Sequence, residues 1–182
     1  MLEIRFHGRG GQGTVVASIM LAKAFFKAGY YVQTFPSFGL ERRGAAIEAY
    51  LRLDNKKILI RSNLYTPDHV VVCDSKLINV LDVTKGLKPR GLILVNGQDI
   101  DLKKFLGFRI AIVDATRIAI EHRLGNRTAP IINTAMIGAF SKAFNGPPIE
   151  FITEAIENEI HIKPKENVQA ALDAYEDVKI IG

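Results

Sequence analysis

Near the amino terminus the sequence runs LEIRFHGRGGQG from Leu2 to Gly13. Apolar and polar residues alternate as far as His7, a pattern typical of a short strand with one packed face. From Thr14 to Ala28 the residues are mostly apolar, which indicates a buried helix that ends at Gly29. A second apolar strand follows from Tyr31 to Phe35. We therefore predict a βαβ unit, with a parallel strand pair and a right-handed crossover.

The rest of the chain repeats this alternation of strands and helices. Two extended runs, Ala45 to Leu53 and Lys57 to Arg61, flank a turn-forming Asp-Asn-Lys sequence and predict an antiparallel hairpin. Three β-branched runs that end on a polar residue predict buried parallel strands at His69 to Asp74, Gly91 to Asn96 and Arg109 to Asp114. Helices are predicted at Ser75 to Leu81, Thr116 to Leu124, Thr134 to Phe144, Ile149 to Ile160 and Glu166 to Val178. The expected fold is α/β: a doubly wound, mostly parallel, Rossmann-like three-layer sheet with a β-hairpin insertion.

Composition narrows the class of protein. The chain has 182 residues, of which 48% are hydrophobic and 24% charged, so residues 1–182 are expected to form a single globular domain. No apolar run approaches the ~18 residues that span a bilayer, and the first residues do not form a secretory segment, so we expect a cytoplasmic protein with no membrane contact. The net charge of +5 comes without a long basic run, and nucleic acid is not expected as a partner.

Metal and cysteine chemistry have little support in the sequence. Cys73 is the only cysteine, which excludes an internal disulfide and any iron–sulfur cluster or cysteine-rich zinc site held by this chain alone. The four histidines show no i, i+4 pair, so no metal site is predicted. Asp74 and Asp114 follow strands and precede helices, and we expect them to act as helix caps. No catalytic residue is predicted.

The glycine loop between the first strand and the first helix is the main candidate binding site. Its glycines permit positive φ angles and a close backbone approach, and the helix that follows offers unpaired N–H groups to an anion such as a phosphate. Arg9 would add a charge-assisted partner. The alternative is that the glycines only let the helix pack closely on the sheet. The candidate residues are Gly8, Arg9, Gly10, Gly11, Gln12 and Gly13.

Two common nucleotide motifs are incomplete. A P-loop is excluded because Thr14 stands where that motif requires lysine. The acidic residue that would bind a ribose hydroxyl at the end of the second strand is missing, and Glu41 is followed by Arg42 and Arg43. These two arginines are candidates for contact with an anion or a partner subunit. They also leave open an alternative, a stand-alone Rossmann-type module that binds NADP through its 2′-phosphate.

Three signatures give the sequence a family resemblance. The residues from Ile4 to Gly13 resemble the opening of the gamma subunit of pyruvate:ferredoxin oxidoreductase and its 2-oxoacid relatives. The residues from Phe35 to Ala45, FPSFGLERRGA, resemble that family's second signature, and those from Ile132 to Ala139, INTAMIGA, resemble its third. The signatures occur in the family's order and span almost the whole chain.

The resemblance implies a subunit of an enzyme that oxidatively decarboxylates a 2-oxoacid, transfers the acyl group to coenzyme A and reduces ferredoxin. In such enzymes thiamine diphosphate with its Mg²⁺ lies between the alpha and beta subunits, and [4Fe-4S] clusters are carried by delta and usually by beta. The gamma subunit is then a structural and assembly component, not catalytic alone, with the glycine loop bordering the coenzyme A side. Pyruvate is the expected substrate. Branched-chain 2-oxoacids, 2-oxoglutarate and indolepyruvate stay open as alternatives.

Overall fold

The fold is a seven-stranded sheet covered on both faces. A computed structural model describes residues 1–37 and 45–181. In chain order the strands are Leu2–Arg9 (β1), Tyr31–Ser37 (β2), Ala46–Asp54 (β3), His69–Val72 (β4), Leu92–Asn96 (β5), Arg109–Val113 (β6), Gly125–Asn126 (β7), Ala129–Pro130 (β8) and Lys179–Ile181 (β9). The large sheet has the order β2-β3-β1-β4-β5-β6-β9, while β7 and β8 form a separate small hairpin. Strands β1, β4, β5 and β6 pair in parallel, which confirms the predicted α/β fold with a mostly parallel sheet.

The predicted βαβ unit needs one correction. Strands β1 and β2 run in the same direction but are not neighbours, because β3 lies between them and pairs antiparallel with both. Cross-strand charge matching favours this position: Glu3 faces Arg52, and their side chains form an ion pair of 2.8 Å between Oε1 and Nε. The predicted hairpin of Ala45 to Leu53 with Lys57 to Arg61 is therefore wrong, since the second run forms no strand. Its first run pairs with β1 and β2 instead.

The helices lie on one face of the sheet. Residues from all five α-helices join the larger hydrophobic cluster, together with alternate residues of β1, β3, β4, β5 and β6. The other face is covered by two 3-10 segments, Ser75–Asn79 and Leu102–Phe105, and by the loops around them. The predicted helix from Ser75 is thus a short 3-10 segment, whereas the other predictions match Thr14–Lys27 (α1), Ala115–Glu121 (α2), Asn133–Phe144 (α3), Ile149–Glu159 (α4) and Pro164–Asp177 (α5). Within residues 1–37 and 45–181, no helix combines the length and apolar content needed to cross a membrane.

Two glycines bring α1 unusually close to its neighbours. A methyl group at Gly8 would lie 1.9 Å from the Thr14 hydroxyl oxygen, far inside van der Waals contact. A methyl group at Gly13 would lie 2.8 Å from the side-chain nitrogen of Asn133, at the start of α3. Gly13 also has a φ of 78°, which side-chain-bearing residues rarely adopt. The first turn of α1 can therefore pack directly against both β1 and α3, because neither glycine has a side chain.

One buried and one half-buried histidine, His7 and His69, are held in the neutral form. Burial lowers the pKa of His7 to about 4, although Glu48 acts in the opposite direction, and Arg5 adds to the lowering. Burial also lowers the pKa of His69 to about 4. In each case one ring nitrogen accepts a hydrogen bond: from Arg5 Nε to His7 Nε2 at 2.9 Å, and from the Leu92 N–H to His69 Nδ1 at 3.0 Å.

The contact between Gly8 and Thr14 predicts a compensating pair of substitutions. Gly8→Ala should lower the free energy of unfolding by about 1 to 3 kcal/mol, because the added methyl overpacks the strand–helix contact. Adding Thr14→Ala removes the hydroxyl that the methyl would meet, so the double variant should be more stable than the sum of the single variants predicts. Urea unfolding of all four proteins tests this, and strictly additive effects would contradict the close contact.

The neutral histidines predict a loss of stability in mild acid. The unfolded chain binds these protons near pH 6.5 and the folded chain only near pH 4, so stability is full above pH 6.5 and falls towards pH 4. Each histidine contributes up to about 1.4 kcal/mol per pH unit in that window. His7→Gln and His69→Asn keep an acceptor in place and should each reduce the slope in urea titrations at several pH values. Exposed His161→Gln is the control and should leave the slope unchanged.

Candidate functional site

The glycine loop closes on itself. The Arg9 N–H donates to Gln12 Oε1 at 2.8 Å, and the Gln12 N–H donates to the Arg9 carbonyl at 3.1 Å. The Gly10 N–H donates to the carbonyl of Ala45 at 3.2 Å. The side-chain oxygen of Gln12, a residue predicted to bind a ligand, is therefore engaged in a hydrogen bond within the loop.

Arg9 is held by a carboxylate. Its Nε lies 2.7 Å from Asp74 Oδ2, beyond the end of the neighbouring strand β4. Asp74 also accepts from the Lys76 N–H at 2.9 Å and so caps the 3-10 segment, as the sequence predicts. An anion that approached Arg9 would have to compete with Asp74. Backbone groups on the other side of the loop are better placed to meet a ligand, since Gly11 is exposed and has a φ of 98°.

On that other side the loop borders an open groove of about 660 Å³. Three helices begin around it, since Gly13, Ile132 and Lys163 are the cap residues of α1, α3 and α5. None of these caps makes a side-chain hydrogen bond to its helix. Helix amino termini carry partial positive charge, so the groove favours anions. Its lining residues include Gly11, Gly13, Val16, Arg123, Leu124, Ile131, Asn133, Ile160, Ile162, Lys163 and Asn167.

The groove holds hydrogen-bond donors with no partner in the described residues. Asn133 is only 4% exposed, its Oδ1 accepts from the Thr134 N–H, and its Nδ2 makes no hydrogen bond within the part of the chain that the structure describes. The Arg123 guanidinium likewise contacts no carboxylate there. Asn167 by contrast is satisfied, because it binds Thr134 Oγ1 and the carbonyls of Ile162 and Lys163. Asn133 therefore presents an unused donor beside Gly13.

A polar network occupies the opposite face of the sheet and was not predicted. Arg5 donates to His7 and to the carbonyls of Val83 and Lys85, at 3.0 and 2.7 Å. His7 Nδ1 lies 3.3 Å from Glu48 Oε1 but makes no hydrogen bond to it, whereas Glu48 accepts from the Tyr50 hydroxyl. The strict alternation of β1 and β3 carries the signal for this network, because their polar residues share one face. Its bonds tie the loop around Val83 to the sheet.

Cys73 and Asp114, which the sequence analysis also considered, have structural roles. Burial raises the pKa of the Cys73 thiol to about 12, so it is inert as a thiolate nucleophile or cluster ligand. Asp114 accepts from the Arg117 N–H at 2.9 Å and caps α2, as predicted. Among residues 1–37 and 45–181, no three His, Cys, Asp or Glu side chains come together as a metal site. Arg42 and Arg43 lie outside the described residues.

Sequence relatives correspond to the chain from end to end. The common gamma subunit of the pyruvate/ketoisovalerate oxidoreductases of Pyrococcus furiosus is 47% identical, with 99% of this chain and 98% of the relative covered. The pyruvate synthase subunit PorC of Methanocaldococcus jannaschii is 45% identical over 98% of this chain and 97% of the relative.

Structure and family comparisons agree with these relatives. The crystal structure of the pyruvate oxidoreductase subunit PORC of Thermotoga maritima superposes with a TM-score of 0.84 at 36% identity, covering 100% of this chain and 98% of that one. The profile of the family "Pyruvate ferredoxin/flavodoxin oxidoreductase" matches residues 3–177. The chain belongs to the pyruvate ferredoxin/flavodoxin oxidoreductase family, as a gamma subunit of the 2-oxoacid:ferredoxin oxidoreductase type.

Proposed function

We propose that this single-domain chain is the gamma subunit of a cytoplasmic pyruvate:ferredoxin oxidoreductase, and that its role is assembly of the complex. The observation that carries this is its end-to-end correspondence, at 45 to 47% identity, to subunits named for pyruvate/ketoisovalerate oxidoreductases and for pyruvate synthase. Alpha, beta and delta chains would hold thiamine diphosphate, Mg²⁺ and the [4Fe-4S] clusters, and ferredoxin would accept the electrons. This division of labour fits a chain whose single thiol is buried and inert.

The choice of 2-oxoacid depends on the partner chains. The Pyrococcus furiosus relative is named as common to pyruvate and ketoisovalerate oxidoreductases, so one gamma subunit serves two substrates there. Pyruvate is our proposal for this chain because the Methanocaldococcus and Thermotoga relatives are named for pyruvate alone. Ketoisovalerate is the second candidate, and 2-oxoglutarate and indolepyruvate stay as further alternatives.

We also propose that the glycine loop borders the coenzyme A side of the complex. Exposed Gly11 and the uncapped amino terminus of α1 support this, because both offer backbone N–H groups to a phosphate. Because Arg9 and Gln12 are engaged within the chain, we propose the backbone of Gly11 and Gly13 as the contact in place of those two side chains. The rival NADP module has less support, since antiparallel β3 lies where a dinucleotide fold places its second parallel strand.

Purification of the native complex tests the main proposal. A tag on this chain should co-purify thiamine- and cluster-bearing chains, and the complex should reduce ferredoxin with pyruvate and coenzyme A. Ketoisovalerate and 2-oxoglutarate, assayed in parallel, identify the preferred acid. A chain that purifies alone and binds NADP saturably would contradict the proposal.

Substitution of Gly11 tests the coenzyme A contact. A methyl group at Gly11 would meet no atom within 4 Å, so Gly11→Asp adds a charge without a clash. The carboxylate should repel phosphate and raise the KM of the complex for coenzyme A by about tenfold, a cost of about 1.4 kcal/mol, with the KM for pyruvate unchanged. Gly11→Asn controls for the backbone strain at positive φ.

Gly107→Asp is the matched control for position. Gly107 also has a positive φ, 88°, and open space at its Cα, but it lies between Phe105 and Phe108, which pack on the face of the sheet opposite the helices. An unchanged KM for coenzyme A in Gly11→Asp, or an equal rise in Gly107→Asp, would contradict the proposed contact.

A further inference from the structure

The groove beside the glycine loop has an apolar wall and a cationic rim. Val16, Ile131 and Ile162 are exposed there, and Ile162 has 79% of its surface in solvent. Arg123 and Lys163 stand on the rim, and Glu159, the acidic residue in the lining, pairs with Lys23 on α1. An occupant must therefore bring apolar groups to the wall and negative charge to the rim.

The donors without a partner in the described residues say more about the occupant of the groove than the net charge of its rim does. Asn133 Nδ2 is the donor of a side chain that is almost fully buried, and it lies against Gly13 at the meeting point of α1 and α3. Solvent reaches this atom, because it is not one of the fully buried side-chain atoms without a partner, so an incoming oxygen meets a donor that has no internal hydrogen bond to break within the described residues. Arg123 lines the same groove, so a side-chain amide and a guanidinium are both open to an acceptor there.

The backbone around the rim is held in an uncommon conformation. Arg123 and Lys163 have φ angles of 55° and 52°, in the left-handed region that favours glycine. Lys163 Nζ donates to the Arg123 carbonyl at 2.7 Å, which joins the two residues at the rim. At Arg123 the positive φ belongs to the end of α2, where the N–H groups of Arg123 and Leu124 donate to the carbonyls of Ile120 and Ala119.

We propose that this groove is the docking site for a segment of another subunit of the complex, one that carries a carboxylate next to apolar side chains. The carboxylate accepts from Asn133 and Arg123, and the apolar side chains cover Val16, Ile131 and Ile162. Charge complementarity selects an acidic segment, and the exposed apolar wall selects a protein partner over a free anion. This inference rests on the proposed function as a gamma subunit.

Two charge-introducing substitutions test the groove, each with a matched control. Arg123→Glu and Ile162→Glu, alone and combined, are made in the tagged chain that is co-expressed with the other subunits. Arg90→Glu controls for Arg123, because Arg90 is also an exposed arginine with positive φ, 61°. Leu106→Glu controls for Ile162, because Leu106 is 80% exposed and lies on the opposite face of the sheet. Thermal unfolding of each isolated chain verifies that the variants fold.

The expected result is a specific loss of assembly. At equal salt, the amount of the other subunits that co-purifies with the combined variant should be about tenfold lower than with the wild type. Both controls should assemble normally. Increasing salt should dissociate the wild-type complex at this contact. A carbodiimide cross-link should join Lys163 to an aspartate or glutamate of an alpha, beta or delta chain identified by mass spectrometry.

Four outcomes would overturn the docking site. The first is a combined variant that assembles as the wild type does, at low and at high salt. The second is a set of Lys163 cross-links confined to this chain. The third is intact assembly with a raised KM for coenzyme A in the combined variant, which would extend the coenzyme A contact from the backbone of Gly11 to the whole groove. The fourth is a dimer of the isolated chain that the same variants disrupt, which would assign it to a second copy. If even the wild type captures no other subunit, the proposed function fails as well, which separates that failure from these four.

Discussion

The absence of a side chain at Gly8 is the constraint on which the site depends. It lets the Thr14 hydroxyl occupy the place of a Cβ atom and so fixes the start of α1 directly over the end of β1. Gly13 repeats the device against Asn133, which brings the start of α3 to the same point. A side chain at Gly8 would push α1 away from β1, and one at Gly13 would push α1 away from α3. The G-x-G-x-x-G sequence therefore acts here first as a packing motif, and only its exposed middle is available to a ligand.

This packing divides the loop into two sides with different chemistry. Towards the sheet, Arg9 is neutralised by Asp74 and Gln12 closes the loop, so the polar side chains that look most like ligands are engaged within the chain. Towards the helices, backbone amides and the Asn133 amide face an open apolar groove with basic residues on its rim.

The parallel strands, the five helices and the glycine loop could be predicted because each has a local signal in the sequence. These signals are hydrophobic periodicity, glycine or proline at the ends of elements, and the G-x-G-x-x-G motif. Sequence reasoning missed the insertion of β3 between β1 and β2, which is a pairing between distant residues. The information was present in the match of Glu3 with Arg52 and of His7 with Glu48, but strand order must be assumed before such pairs can be read. The groove was not predicted either, because it too is formed by residues distant in sequence. Asn133, Arg123 and Lys163 come together only through the packing of three helices.

Hydrogen exchange of this chain, free and in the assembled complex, tests most directly whether the rest of the enzyme covers the helix side of the glycine loop. Assembly should slow amide exchange in residues 10–16, 123–133 and 160–167, which border the groove. The loops on the opposite face, around Leu106, should exchange at the same rate in both states. Unchanged exchange around the groove, with new protection confined to the opposite face, would contradict the account.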